Sequence, residues 1–203
     1  MNRRHWTMGV TVAALLGLSA CSSTYTVSAE VRSFGHWPDS RKPASYAFER
    51  LPSQQQDEAQ QTALEAAARP ALERAGFKPA VDTKSADVLV SIGMSVSPND
   101  RAPWDDPLWW RWHGSYGSWR YGPYWRGGLG PLWTEPRYER GVALLLRDRS
   151  SGEPLYEARA SNEGMTMGDS RLSGALFDAA MSDFPKAEPK PHRASVQVSR
   201  EAP

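Results

Sequence analysis

GVALLLR (141–147), DRSSG (148–152) and PLYEARAS (154–161) follow one another along the chain. Two apolar-rich runs flank a polar turn that ends in glycine, which is the pattern of a β-hairpin. Asp148 suits the turn because its carboxylate accepts bonds from the backbone N–H groups that follow, and Arg147-Asp148-Arg149 reads as a solvated turn. Upstream, ADVLVSIGMSV (86–96) is a near-continuous apolar run and predicts a central strand. Thr24 to Phe34 alternates, with Val27, Ala29 and Val31 on one side and Thr26, Ser28, Glu30 and Arg32 on the other. That period of two predicts a half-buried strand. Ser45 to Arg50 alternates through Tyr46 and Phe48, a second short strand ended by Pro52.

Between these runs, Gln54 to Ala75 is rich in strong helix formers, with Ser53 placed as an N-cap and Gly76 as the stop. Ala63, Ala67 and Ala71 with Leu64, Leu72 and Ala75 give an apolar stripe for lying on a sheet. Pro70 falls inside this stretch and predicts a kink or a division into two helices. Ser170 to Asp183 predicts a second helix, with Leu172, Leu176, Phe177 and Ala180 or Met181 on its buried face. Lys186 to Pro203 has no aromatic residue and mixes Pro189 and Pro191 with charges, so it reads as a disordered tail. The order β-β-α-β-β-β-α implies an α+β fold, a mainly antiparallel sheet of about five strands with two helices on one face.

Further out, Arg3 and Arg4 precede an apolar run from Met8 to Ala20, which closes on Leu18-Ser19-Ala20-Cys21. This is the layout of a secretory signal ending in a lipobox. The run is too short for a span, which needs about 20 apolar residues. Residues 1–20 are therefore read as a signal peptide, 21–24 as a lipidated linker and 25–185 as one domain. Acyl chains on Cys21 contribute roughly 0.8 kcal/mol per buried methylene, so two or three of them anchor lastingly. Ser22 and Ser23 follow, with no aspartate in either place; by analogy with lipoprotein sorting this points to the outer membrane, facing the periplasm.

Of 24 Lys+Arg, Arg3 and Arg4 leave with the signal, so 22 face 23 Asp+Glu, a net −1. Near-neutrality argues against nucleic acid as a partner. Cys21 is the only cysteine. With the lipid on it, no disulfide and no free thiolate for catalysis or metal remain.

Several of these pieces together resemble a known envelope family. Tyr46-Ala47-Phe48, Leu72-Glu73-Arg74-Ala75-Gly76-Phe77 and Ala86-Asp87-Val88-Leu89-Val90 are similar to the domain of unknown function 4136. So are the hairpin Leu144-Leu145-Leu146-Arg147-Asp148 with Ser151-Gly152-Glu153-Pro154-Leu155-Tyr156, and the closing Phe184-Pro185. The resemblance spans about residues 25–185. It implies a bacterial lipoprotein, in agreement with the lipobox, and brings no catalytic residue or cofactor. Tyr156 stands where the family tends to have tryptophan, and the segment after Val96 is long for the family.

That segment, 98–137, is the chain's unusual feature. It holds Trp104, Trp109, Trp110, Trp112, Trp119, Trp125 and Trp133, seven of nine tryptophans, with six glycines and six prolines. Trp-Arg recurs at Trp110-Arg111, Trp119-Arg120 and Trp125-Arg126, without a fixed period. Connections this long are usually functional or disordered. Rings supply contact area, indole N–H and guanidinium groups supply direction, and cation–π contact joins them. The candidate binding residues are Trp109, Trp110, Arg111, Trp112, Trp119, Arg120, Trp125 and Arg126. Sugar faces, the lipid interface and an envelope protein all suit such a surface. The plain alternative is that the segment only packs on its own sheet.

Catalysis finds less support. His36, His113 and His192 lack zinc-ligand spacing. Asp105-Asp106 with His113 is the one acid/base or metal grouping to consider, the basis of an alternative reading as a small cell-wall hydrolase. Adjacent carboxylates point apart in extended chain, and no nucleophile elbow or phosphate loop is present. Gly127-Gly128-Leu129-Gly130 has no strand before it. The expectation is a non-catalytic binding or assembly protein without cofactor or metal, tethered to the bilayer by its acyl anchor.

Overall fold

The 141–161 hairpin lies in the middle of the sheet, and both of its strands bury apolar side chains. In the computed structural model, which describes residues 23–99 and 137–200, Val142, Leu144 and Leu146 stand opposite Ala160, Ala158 and Tyr156, and all six are buried. The elements in order are β1 (Ser23–Gly35), β2 (Ser45–Phe48), α1 (Glu58–Arg74), β3 (Lys78–Pro79), β4 (Val88–Asn99), β5 (Arg137–Asp148), β6 (Pro154–Gly164), α2 (Ser170–Ala180) and β7 (His192–Arg200). The fold is α+β. The sheet has seven strands in the order β3-β2-β4-β5-β6-β1-β7.

The sheet is mixed, which corrects the expected five-stranded, mainly antiparallel one. β2 runs parallel to β3 and to β4, while the remaining pairs are antiparallel. The cause is α1: it carries the chain from β2 over the sheet to β4, and a helical crossover of this kind returns a strand in parallel. β3 is two residues long, too short to leave a period in the sequence.

The tail expected to be disordered is corrected as well. His192–Arg200 is edge strand β7, paired with β1 from Ser23↔Arg200 to Val31↔His192. Ala194, Val196 and Val198 pack against the core; their period of two lies among small and charged residues that hid it. Ser33, fully buried, fastens the lead-in: its Oγ accepts from Glu188 N at 2.8 Å and donates to Asp183 Oδ2 at 2.7 Å. His192 Nε2 lies 3.0 Å from Asp183 Oδ1.

Helix α1 starts later than expected. Asp57, not Ser53, is the N-cap and accepts from Gln60 N; Gln54 instead turns its amide onto Ile92 O at 2.7 Å. Pro70 neither divides nor ends α1. It is exposed, as is Ala66 one turn earlier, so water can take the carbonyl that proline leaves without a donor. The expected stripe packs on the core through Ala71 and Leu72, with Leu64, Ala67 and Ala75 partly buried against it; Ala63 faces outward instead, and Ala68 joins the buried side. Glu65, also inward, is bound by Arg50 Nε at 2.6 Å. Gly76, at φ +96°, takes the left-handed turn that ends the helix. Helix α2 buries Leu172, Leu176, Phe177 and Ala180 as expected.

Both helices join one core on one sheet face. Burying its Val, Leu and aromatic side chains contributes roughly 1.5–3 kcal/mol each. At the hairpin end of the sheet the core is aromatic. Trp37, Phe77, Tyr156 and Phe184 interlock edge to face or tilted, with centroids 5.0–5.4 Å apart. Among the described residues no helix is long and apolar enough to cross a membrane.

Candidate functional site

Register places several strand termini at the end of the sheet opposite the hairpin turn. Pro98 stands opposite Tyr138, and Tyr138 opposite Gly164. Asn99 and Arg137, which bound the 100–136 segment, face each other on neighbouring strands. β1 begins at the same end, where Ser23 pairs with Arg200. This stem end therefore carries both the base of the aromatic segment and the chain's entry from residue 22.

The candidate residues themselves, Cys21, Trp109, Trp110, Arg111, Trp112, Trp119, Arg120, Trp125 and Arg126, lie outside the described residues, as do Asp105, Asp106 and His113. The structure supplies their frame. His36 is exposed before Trp37, and His192 belongs to the β7 fastening. Among the described residues no group of three or more His, Cys, Asp or Glu side chains is placed to hold a metal.

Sequence reasoning missed the most unusual group at the stem end, Arg140. It is only 6% exposed. Its period-two phase was the available signal, since it lies on the side of β5 that buries Val142, Leu144 and Leu146. The guanidinium donates to Thr166 O (2.9 Å), to Asn162 O (3.4 Å) and to Asn162 Oδ1. Asn162 in turn donates from Nδ2 to Ser28 O at 2.6 Å, tying the group to β1. Gly164 makes room for it: a Cβ there would come within 2.8 Å of Arg140 Cζ. Burial pulls Arg140 below the ordinary arginine value, because no carboxylate among the described residues pairs with it. A crevice of about 540 Å³ opens over it, bordered by Thr26, Thr166 and Asp169. Asp169 is the N-cap of α2 and accepts from Leu172 N at 2.9 Å.

The hairpin end is different. Arg41 Nη1 reaches Asp148 Oδ2 at 2.6 Å, and its guanidinium stacks 5.4 Å from the Trp37 ring. Asp148 also accepts from Ser150 N and Ser151 N, at 2.8 and 2.9 Å. The Ser150 hydroxyl, the Ser151 N–H and Arg41 hold its carboxyl well below the usual carboxylate range. The expected solvated turn is thus corrected: Arg147 pairs with Glu49, and Arg149 Nε donates to Ala86 O at 2.6 Å. A second crevice here, about 510 Å³, contains Arg41 and Arg74. Both have carboxylate partners, Asp148 and Asp178.

The sheet face away from the helices is shallow and small-featured. Ser91, Gly93, Ser95, Gly141 and Ala143 form its floor. Two ion pairs on it run along single strands, Arg32 with Glu30 at 3.1 Å and Arg159 with Glu157 at 2.7 Å.

A family model described as "Domain of unknown function (DUF4136)" matches residues 30–186. No curated protein matches the chain. Among solved structures, a PDZ domain protein from Parabacteroides distasonis ATCC 8503 is similar at TM-score 0.50 and 10% identity, over 94% of this chain and 42% of that one. The chain thus spans less than half of that protein, and the likeness is one of fold alone. A PelC dodecamer from Paraburkholderia phytofirmans gives TM-score 0.37 at 13% identity, over 79% of this chain and 99% of that one. A DUF4136 family protein from Bacteroides thetaiotaomicron VPI-5482 gives TM-score 0.25 at 13% identity, over 83% and 98%.

Proposed function

The chain belongs to the DUF4136 family, and from that premise we propose that it is a lipid-anchored, non-catalytic envelope protein whose stem end is its working surface. In this reading Cys21 carries the acyl anchor, and the absence of aspartate at Ser22 and Ser23 directs the protein to the outer membrane, facing the periplasm. The Trp/Arg segment then serves as the contact surface for binding or assembly, with Trp109, Trp110, Trp112, Trp119 and Trp125 as anchors and Arg111, Arg120 and Arg126 beside them. One observation carries the proposal: β1 begins at the same end of the sheet at which Asn99 and Arg137 bound the aromatic segment. A tether of one or two residues past Ser23 keeps that end near the bilayer, where tryptophan and tyrosine rings settle at the headgroup level.

Two substitutions test it. Cys21→Ser is expected to yield chain without acyl label in the soluble periplasmic fraction; unchanged labelling and membrane retention contradict the anchor. Replacing Trp109, Trp110 and Trp112 together by Ser is expected to weaken vesicle binding of the unlipidated chain at least tenfold without moving its melting temperature. Equal binding removes the segment from the function. A lower melting temperature with unchanged binding makes it packing instead.

A further inference from the structure

We propose that the crevice above Arg140 is a binding site for a single oxyanion of the phosphate class. A buried cation is costly unless something compensates its charge. Elsewhere in the described structure the part-buried arginines meet that requirement with carboxylates: Arg41 with Asp148, Arg50 with Glu65, Arg147 with Glu49. Arg140 is more deeply buried than any of these, and its hydrogen bonds among the described residues go to neutral acceptors on Asn162 and Thr166. A guanidinium has five N–H donors, and three are used. One on each terminal nitrogen remains, a pair suited to a two-oxygen anion.

The surroundings hold the group in place on the lining of the crevice. Gly164 sits against the guanidinium with no side chain to displace it. Asn162 is itself fixed to β1 through Ser28 O. Thr26 and Thr166 border the opening, and their hydroxyls are further donors. Among the described residues that line the crevice, the one carboxylate is that of Asp169, which is engaged in capping α2. It favours an anion that carries a positive group beside its phosphate, or one bound singly. A preformed, charge-incomplete, walled site is what distinguishes this crevice from the paired arginines at the hairpin end.

Two sources share this chemistry, a phospholipid headgroup and free phosphate. The site does not depend on the anchor, so it can fail while the reading of Cys21 stands, and the reverse. The test follows the Arg140 side-chain N–H resonances of the full chain in uncharged detergent micelles. Inorganic phosphate is added first, with chloride at equal ionic strength as the control. Micelles containing phosphatidylglycerol are compared next with micelles containing diacylglycerol. A saturable shift with inorganic phosphate supports the site and a soluble source. A saturable shift with phosphatidylglycerol alone supports the site and the headgroup. Asp169→Asn, which keeps the cap and removes the charge, is expected to tighten either one several-fold. Arg140→Gln is expected to lose at least tenfold, read on the Thr166 amide. If Arg140→Gln does not fold, the wild-type titration and Asp169→Asn still decide. No saturable shift, or one equal to that of chloride, overturns the site and leaves Arg140 as a tie between β5 and β6.

Discussion

Arg41 and Arg140 sit at opposite ends of the same sheet and are satisfied in opposite ways. Arg41 has a carboxylate at 2.6 Å, a ring to stack on and a carbonyl of its own that Trp37 Nε1 binds at 2.7 Å. Arg140 has carbonyl and amide oxygens and, among the described residues, no carboxylate. The hairpin end is closed: aromatic rings interlock beneath it, charges are matched, and β7 is fastened there by Ser33 and Asp183. The stem end carries the chain's entry, the base of the Trp/Arg segment and a buried positive charge. If the stem end is the contact surface proposed above, stability and contacts lie at different ends of one sheet, and mutations should separate them.

The largest effect should come from breaking the closed end. Phe77→Ala removes a ring that is 2% exposed and touches both Trp37 and Phe184. It is expected to cost about 3–5 kcal/mol in chemical denaturation, while the Arg140 resonances stay in place. Coupled movement of the two would show that the ends are not independent. Next, Ser33→Ala leaves Asp183 and the Glu188 amide without their shared hydroxyl, at about 1–3 kcal/mol. Hydrogen exchange should show β7 opening before β4 and β5; uniform protection would mean that the fastening lies elsewhere.

Acid can make Arg41 resemble Arg140. The Asp148 carboxyl titrates lower in the folded chain than in the unfolded one, held down by Ser150, Ser151 and Arg41. Its stabilising contribution is therefore complete above the ordinary carboxylate value of about 3.9 and is lost as pH falls below it. Thermal melts of wild type should lose stability over that range, and Asp148→Asn should flatten the slope; equal slopes would remove Asp148 from the hairpin end's stability. The smallest effect is expected at Tyr46. Its hydroxyl is buried with no hydrogen-bond partner among the described residues, and burial pushes its pKa up. Tyr46→Phe should keep the ring contacts and be neutral or stabilising by up to about 1 kcal/mol. A clear loss of stability would show that the hydroxyl has a partner.

Much of the closed end was legible from sequence and little of the open one. The alternation in β1, the 141–161 hairpin and the α2 face are local periodic signals, and each appears in the structure where the residues pointed. The parallel pairing of β2 was not legible, since four residues do not reveal their neighbours. β7 hid because its apolar positions, Ala194, Val196 and Val198, are small and lie beside prolines and charges. Asp57 displaced Ser53 as the cap because residues 51–56 are turned back onto β4 by the Gln54 bond. Arg140 was in phase with the core and was passed over because an arginine on a strand normally faces water. Only the tertiary environment shows that it does not.

Whether the stem end faces the bilayer can be read from tryptophan quenching in vesicles whose lipids carry bromine on the acyl chains. The mature chain with Trp37→Phe leaves only the tryptophans of the segment to report. With the stem end at the membrane, most of their emission is quenched, most strongly when bromine lies near the headgroups. Emission that ignores bromine at every depth would place the segment away from the membrane.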